Sequence, residues 1–176
     1  MKNIFLTGPI QVGKTTIIRS SLSGFAGTIR GFYTQPFFPD NGQLRFVMRA
    51  VNSEDNCKQD AWICQAGKNK QYIAVTETFE TTGVDLLQKA LTKDTDLIIM
   101  DELGFFESEA TRFQVMVKKC LVSPIPVLGV LKQKSTPFLD EIRYREDILL
   151  LSVSEQNRDH MAGLVKMKLQ ELFDRA

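Results

Sequence analysis

The run Gly8-Pro9-Ile10-Gln11-Val12-Gly13-Lys14-Thr15 constrains this chain more than any other stretch. It satisfies G-x-x-x-x-G-K-[ST] at every fixed position. It is preceded by Asn3 to Thr7, which reads as a buried strand. It is followed by Lys14 to Leu22, which reads as a helix with Ile18 and Leu22 on one face. Gly8 and Gly13 let the backbone turn tightly and bring N–H groups against phosphate oxygens. The helix behind the loop aims its positive end at the same oxygens. Lys14 supplies a point charge to the β- and γ-phosphates and Thr15 offers a hydroxyl to Mg²⁺, and the candidate nucleotide-binding stretch runs from Gly8 to Thr16. At average residue usage, a chance match in a chain of 176 residues arises only about once in a hundred. The strand–loop–helix context makes a fortuitous glycine-rich turn rarer still.

The rest of the chain alternates apolar runs with helical patterns. Thr28 to Gln35 and Gln43 to Val51 read as two strands around Pro39-Asp40-Asn41-Gly42, which carries hairpin chemistry. Trp62-Ile63 and Tyr72 to Val75 read as short strands separated by the turn Gly67-Lys68-Asn69-Lys70. Thr82-Gly83-Val84-Asp85 resembles a capping box that opens a helix with Leu87, Ala90 and Leu91 inward. Leu97 to Met100 has the unbroken apolar character of a strand buried on both faces. Ser108 is placed to cap a helix carrying Phe113, Met116, Val117, Cys120 and Leu121 inward. Pro126 to Leu131 and Ile148 to Val153 are the last two strands, and a helix from about Asn157 closes the chain. This pattern predicts a single α/β domain over 1–176, a mainly parallel sheet with helices on both faces and an added antiparallel hairpin.

A second candidate site lies in Asp96-Leu97-Ile98-Ile99-Met100-Asp101-Glu102. Acids at the carboxyl end of a buried strand stand where open α/β sheets place ligands. Asp101 is suited to hold Mg²⁺ through its water shell, and Glu102 to accept a proton from water attacking a γ-phosphate. The bland alternative for Glu102 is a strand-end charge capping the next turn. Asn157-Arg158-Asp159 follows the last core strand, where it either flanks a nucleotide base or simply caps the helix. Arg143-Tyr144-Arg145 reads either as a phosphate-sensing lid or as a solvated charged stretch. Lys132 and Lys134 follow a strand and either approach phosphate or lie exposed. Phe32, Tyr33, Phe37, Phe38 and Phe46 surround the hairpin as core, or as stacking faces for a base. Phe105-Phe106 would exclude water if folded over the site. His160, the sole histidine, reads as a surface or packing residue rather than a catalytic one.

Charge composition excludes some partners. Lys plus Arg number 22 against 21 for Asp plus Glu, so no broad electrostatic surface for nucleic acid or membrane is implied. Three cysteines, Cys57, Cys64 and Cys120, form no CxxC pair and predict neither a disulfide framework nor zinc, which fits a reducing, cytoplasmic setting. Cys120 to Leu131, the longest uncharged apolar stretch, contains Pro124 and Pro126 and is too short for a bilayer. The amino-terminal apolar run breaks at Gly8-Pro9 and reads as a strand rather than a secretory leader.

Gly8 to Thr16, Gly31-Phe32-Tyr33-Thr34, the Tyr72 strand, Ile98-Ile99-Met100-Asp101-Glu102-Leu103-Gly104 and Asn157-Arg158-Asp159 together resemble one family. It is the small P-loop nucleoside-triphosphatase family of thermophilic microbes and animals, also called the cancer-related nucleoside-triphosphatase family. The resemblance implies a RecA-like sheet and Mg²⁺-dependent hydrolysis of ATP, GTP, CTP and UTP to diphosphate and phosphate, with broad base tolerance and slow turnover. It implies that Asp101 assists the metal, Glu102 is the base and Arg158 lies near the nucleotide. One departure matters: where the family often has Lys-Met-Glu, this chain has Phe105-Phe106-Glu107. Without that cation either turnover is slower still, or Arg158, Lys134 or a partner substitutes. A small-molecule kinase and a nucleotide-dependent switch are the alternatives on the same core. Val130-Leu131-Lys132-Gln133-Lys134 replaces the Asn-Lys-x-Asp run of guanine-specific switches.

Overall fold

The computed structural model describes residues 1–37, 45–51, 61–66 and 71–174. The hairpin turn at Pro39 to Gly42, the turn at Gly67 to Lys70, Phe38 and Cys57 fall outside the described residues. The strands are β1 (Asn3–Thr7), β2 (Ile29–Phe37), β3 (Arg45–Ala50), β4 (Ala61–Ala66), β5 (Tyr72–Ala74), β6 (Leu97–Leu103), β7 (Val127–Leu131) and β8 (Ile148–Ser152). They join one sheet in the order β5-β4-β3-β2-β6-β7-β1-β8. From β2 to β8 every neighbour is parallel. The strands β3, β4 and β5 extend the β2 edge in antiparallel fashion. The mainly parallel sheet with an antiparallel addition is thus the one the alternating pattern predicts.

Period-two alternation divides the core into two layers. Phe5 of β1 packs with Leu87, Phe113, Val117 and Leu139, so α3 (Val84–Ala90), α4 (Thr111–Val122) and α5 (Pro137–Arg143) cover one face. Its neighbours Ile4 and Leu6 pack with Ile17, Ile18, Met161 and Val165, so α1 (Lys14–Ser21) and α6 (Arg158–Phe173) cover the other. Asn3 is fully buried but satisfied: its amide donates to Leu121 O at 3.1 Å and its oxygen accepts from Val127 N at 3.2 Å. One polar contact therefore ties β1 to the start of β7 and the other ties it to the last turn of α4 (Thr111–Val122), at the end of the sheet opposite the loop.

Two local expectations are corrected, and one helix lies outside the predicted set. The helical path begins upstream of Thr82, with α2 (Thr76–Thr78) running through a π-helical turn at Phe79–Gly83 into α3. Thr82 and Gly83 are therefore interior and make no cap. Phe79 is fully buried against Phe113, with ring centroids 5.3 Å apart, and that packing draws the earlier residues into the helix. Ser108 does not cap α4 either. Its hydroxyl donates to Phe105 O at 2.7 Å, and the first-turn amide of Arg112 is satisfied by Glu80 Oε1 at 2.8 Å. Finally, α5 was not anticipated, although Thr136 caps it by accepting from Leu139 N at 3.2 Å, with Pro137 opening the helix. Cys64 and Cys120 are free and buried.

Candidate active site

Parallel strands deliver their carboxyl ends to one edge of the sheet. β1 runs into Gly8, β6 ends beside Asp101 and Glu102, β7 leads to Lys132, and β8 leads to Asn157. Four stretches far apart in sequence thus meet along one edge.

The loop from Gly8 to Gly13 takes the backbone into the left-handed region three times, at Gly8 (φ 150°), Gln11 (φ 63°) and Gly13 (φ 103°). At Gly13 the conformation itself requires glycine; at Gly8 space does too, because a Cβ would stand 2.3 Å from Val153 O. Val12 is buried and anchors the loop, whereas Pro9, Ile10, Gln11 and Thr16 are exposed. The Lys14 ammonium folds back to donate to Gly8 O at 2.9 Å and Pro9 O at 2.6 Å. Burial lowers its pKa, while Glu102 and Asp101 pull it back up.

On β6 the register against β7 shifts between Met100 and Leu103, where Met100 faces Gly129 and Leu103 faces Leu131. The extra residue on β6 falls at Asp101-Glu102 and aims the two acids differently, as bulges near functional sites do. The peptide between them is cis. Asp101 is 1% exposed, and its Oδ2 has no hydrogen-bond partner. Burial pushes its carboxyl up to about 7, against a hydrogen bond from Thr15 that pulls it down. Glu102 instead faces a cleft of about 550 Å³ lined by Ile10, Gln11, Gly13 to Thr16, Phe46, Tyr72, Phe105, Phe106 and Lys132. In that cleft the Lys132 ammonium stands 2.8 Å from Glu102 Oε1.

Phe105 and Phe106 pack with ring centroids 4.4 Å apart and planes tilted by 47°, and both line the cleft. Phe46 and Tyr72 close it from the antiparallel extension, edge to face at 5.9 Å. Glu107, next in sequence, is buried; both its carboxylate oxygens accept from Gly104 N at 3.1 Å. Burial pushes its carboxyl up to about 7.

Other candidates lie elsewhere. Arg158 opens α6 with its guanidinium about half exposed, 3.8 Å from Asp159, and is not among the residues lining the cleft. Asn157 stands at the helix N-cap position without capping. Its side chain accepts from Ser154 N at 2.8 Å and donates to Ser152 O at 2.9 Å, which fixes the β8–α6 turn. The arginines of the 143–145 stretch are tied down. Arg143 pairs with Asp140 and donates to Lys132 O at 2.9 Å, and Arg145 pairs with Asp147 at 2.8 Å. Neither is a free lid cation. His160 is exposed. Sequence reasoning gave Lys132 no firm role; its only signal was its place at the end of a buried strand.

Among the described residues no three His, Cys, Asp or Glu side chains form a metal cage. The fit for Mg²⁺ is of another kind: a buried, unpartnered Asp101 oxygen beside the Thr15 hydroxyl offers hard oxygen ligands. The rest of such an ion's shell comes from water and phosphate.

A glycine-rich loop between β1 and α1, facing two strand-end acids across an open parallel edge, defines a P-loop phosphate-binding protein. The family model described as NTPase matches residues 3–165. The chain belongs to that family. It is 30% identical to the nucleoside-triphosphatase THEP1 of Thermotoga sp. strain RQ2, over 90% of each chain. The crystal structure of THEP1 from Aquifex aeolicus superposes with a TM-score of 0.72 at 21% identity, covering 96% of this chain and 99% of that one. The solution structure of a human cancer-related nucleoside triphosphatase superposes with a TM-score of 0.68 at 26% identity, covering 97% and 98%.

Proposed function

We propose that this chain hydrolyses nucleoside 5'-triphosphates to the diphosphate and phosphate, with Mg²⁺ and with broad tolerance of the base. The observation that carries the reading is the placement of Glu102 in one cleft with Gly13, Lys14 and Thr15. Family membership supports it independently.

The triphosphate lies along the loop from Gly8 to Thr16, whose amides and the α1 amino terminus neutralise its charge. Lys14 leaves the Gly8 and Pro9 carbonyls for the β- and γ-phosphate oxygens, a charge-assisted exchange for two neutral acceptors. A bound Mg²⁺ supplies charge neutralisation at those oxygens, and Thr15 and Asp101 are the residues that would hold it. Glu102 takes the proton from a water aimed at the γ-phosphorus. Catalysis here is positioning and charge stabilisation more than covalent chemistry. Phe105 and Phe106 limit the water that reaches the cleft. Arg158, outside the cleft wall, would approach the nucleotide only with a turn of its exposed side chain.

Broad base tolerance is supported by the lining: Ile10, Phe46, Phe105 and Phe106 offer apolar and π faces rather than base-reading groups. A kinase needs a cationic lid, and Arg143 and Arg145 are engaged structurally. Among the described residues no helix is long and apolar enough to cross a membrane. We place the protein in the cytoplasm; the buried free thiols of Cys64 and Cys120 support a reducing setting.

The test is phosphate release from ATP, GTP, CTP and UTP with Mg²⁺ and no added acceptor. Release from all four at rates within about tenfold, that is within ~1.4 kcal/mol of one another, is expected. Diphosphate formed only when an organic acceptor is present, with the phosphoryl group on the acceptor and no free phosphate, would establish a kinase instead.

A further inference from the structure

Lys132 is the one cleft-lining cation besides Lys14 among the described residues. Its backbone is fixed on both sides of the side chain's origin. Lys132 N donates to Leu103 O at 3.0 Å, and Lys132 O accepts from Arg143 Nη2 at 2.9 Å. Its aliphatic stem crosses Gly104: a Cβ there would meet Lys132 Cδ at 3.0 Å and Cε at 3.6 Å. The glycine therefore leaves a channel that directs the stem toward Glu102. At the end of the channel the ammonium lies 2.8 Å from Glu102 Oε1, 5.3 Å from the centre of the Phe105 ring and 5.7 Å from that of Phe106. Both partners of the ion pair are only about a quarter exposed, 26% and 27%. Ring faces attract a cation without neutralising it, so the ammonium keeps its charge for another partner. Glu107, buried behind Gly104, holds the Gly104 amide at 3.1 Å and so fixes the glycine that the Lys132 stem crosses.

We infer that Lys132 is a catalytic residue: it guards Glu102 while the cleft is empty and moves onto the γ-phosphoryl oxygens when a triphosphate enters. The inference rests on the hydrolase reading and goes beyond it, because it names the group that stabilises the transferring phosphoryl. A triphosphate brings several negative oxygens within reach of an ammonium held by one carboxylate, so the exchange strengthens the ionic contact and releases Glu102. The freed carboxylate accepts the water proton as the water oxygen bonds to phosphorus. The bond from phosphorus to the β,γ-bridging oxygen breaks, and its electron pair leaves with the diphosphate. Through that step Lys132 stays on the equatorial oxygens where charge concentrates. Phe105 stands where the resemblance leads one to expect lysine. The structure answers that substitution: the phenyl ring cannot carry the charge, but with Phe106 it cradles the charge that Lys132 brings from β7. The cation thus comes from within this chain and from neither Arg158 nor a partner. Lys134, whose ammonium stands 4.3 Å from the centre of the Phe105 ring, is not among the residues lining the cleft.

The test compares wild type, Lys132→Ala, Lys132→Arg and Lys134→Ala in steady-state hydrolysis of ATP with Mg²⁺, with nucleotide affinity measured by titration calorimetry. Lys132→Ala is expected to lower kcat by roughly 10²-fold, the scale of one lost transition-state donor, with KM and affinity changing far less. Lys132→Arg should recover part of the loss, and added ethylammonium should raise kcat in Lys132→Ala but not in wild type. The inference is overturned by a Lys132→Ala enzyme of near wild-type kcat. It is equally overturned by a loss that neither arginine nor ethylammonium relieves, or by a larger kcat loss in Lys134→Ala than in Lys132→Ala. Wild type that releases no phosphate would defeat the hydrolase reading itself, an outcome distinct from all three.

Discussion

At the scale of the residue, two carboxyl groups share the neighbourhood of Lys132 but differ in burial and so in chemistry. Glu102 faces the cleft, whereas Glu107 is 2% exposed and its pKa is pushed by burial to about 7 from 4.5. A carboxyl whose folded pKa is raised binds more protons folded than unfolded across that window. Its contribution to stability therefore falls as pH rises from 4.5 to about 7 and levels off above. Glu107→Gln keeps an acceptor for Gly104 N and cannot ionise. Thermal melts of the two proteins should coincide near the acid end of the window and diverge in favour of Glu107→Gln toward neutrality; a difference independent of pH would contradict this. Lys14→Ala should weaken triphosphate binding by roughly 10- to 100-fold, the worth of charged hydrogen bonds, as read by calorimetry. Unchanged affinity would count against its place at the phosphates. Lys14, Asp101 and Glu102 were legible from the sequence because motif and strand-end position are local signals. Lys132 was not: its role depends on β7 standing between β1 and β6, a strand order that no local pattern encodes.

At the scale of the element, packing overrules local chemistry where the two conflict. Thr82 to Asp85 has capping residues, yet the helix begins earlier because Phe79 needs burial against Phe113. Gly83 allows that approach: a Cβ there would lie 2.7 Å from Phe113 Cδ2. Gly83→Ala is therefore expected to destabilise by about 1–3 kcal/mol, the usual cost of overpacking, although alanine is the better helix former. Chemical denaturation measures it, and a stabilised variant would show that the turn has room to give. Arg143 matters in another way. Its bonds to Asp140, Lys132 O and Lys134 O hold the β7–α5 loop, and α5 is the element the sequence reading missed. Arg143→Ala should lower kcat by loosening Lys132, and its melting temperature should fall as well; an unchanged kcat would mean the loop holds its shape without the arginine. The Thr136-Pro137 start of α5 was visible in the sequence, but the helix is only Pro137–Arg143, too short for apolar periodicity to stand out.

For the whole molecule, the alternation of strands and helices was legible, and with it the parallel sheet, because period and connection length restrict topology strongly. The far wall of the cleft was not. Turn residues mark the hairpin connections of the antiparallel extension in the sequence, but Phe46 and Tyr72 reach the loop only through the order β5-β4-β3-β2 at one end of the sheet, which no turn specifies. The sheet brings the glycine-rich loop, the buried Asp101 and the cleft-facing Glu102 to one edge, and the proposed function rests on a division of labour between them. In the proposed mechanism binding belongs to the loop and proton abstraction to Glu102. Glu102→Gln separates the two. It keeps the side chain's size and removes its capacity to take a proton. Measured side by side with wild type in Mg²⁺, the variant should bind triphosphate with affinity within a few-fold of wild type and release phosphate at a rate lower by roughly 10² or more. Equal rates of release from the two proteins would contradict the account.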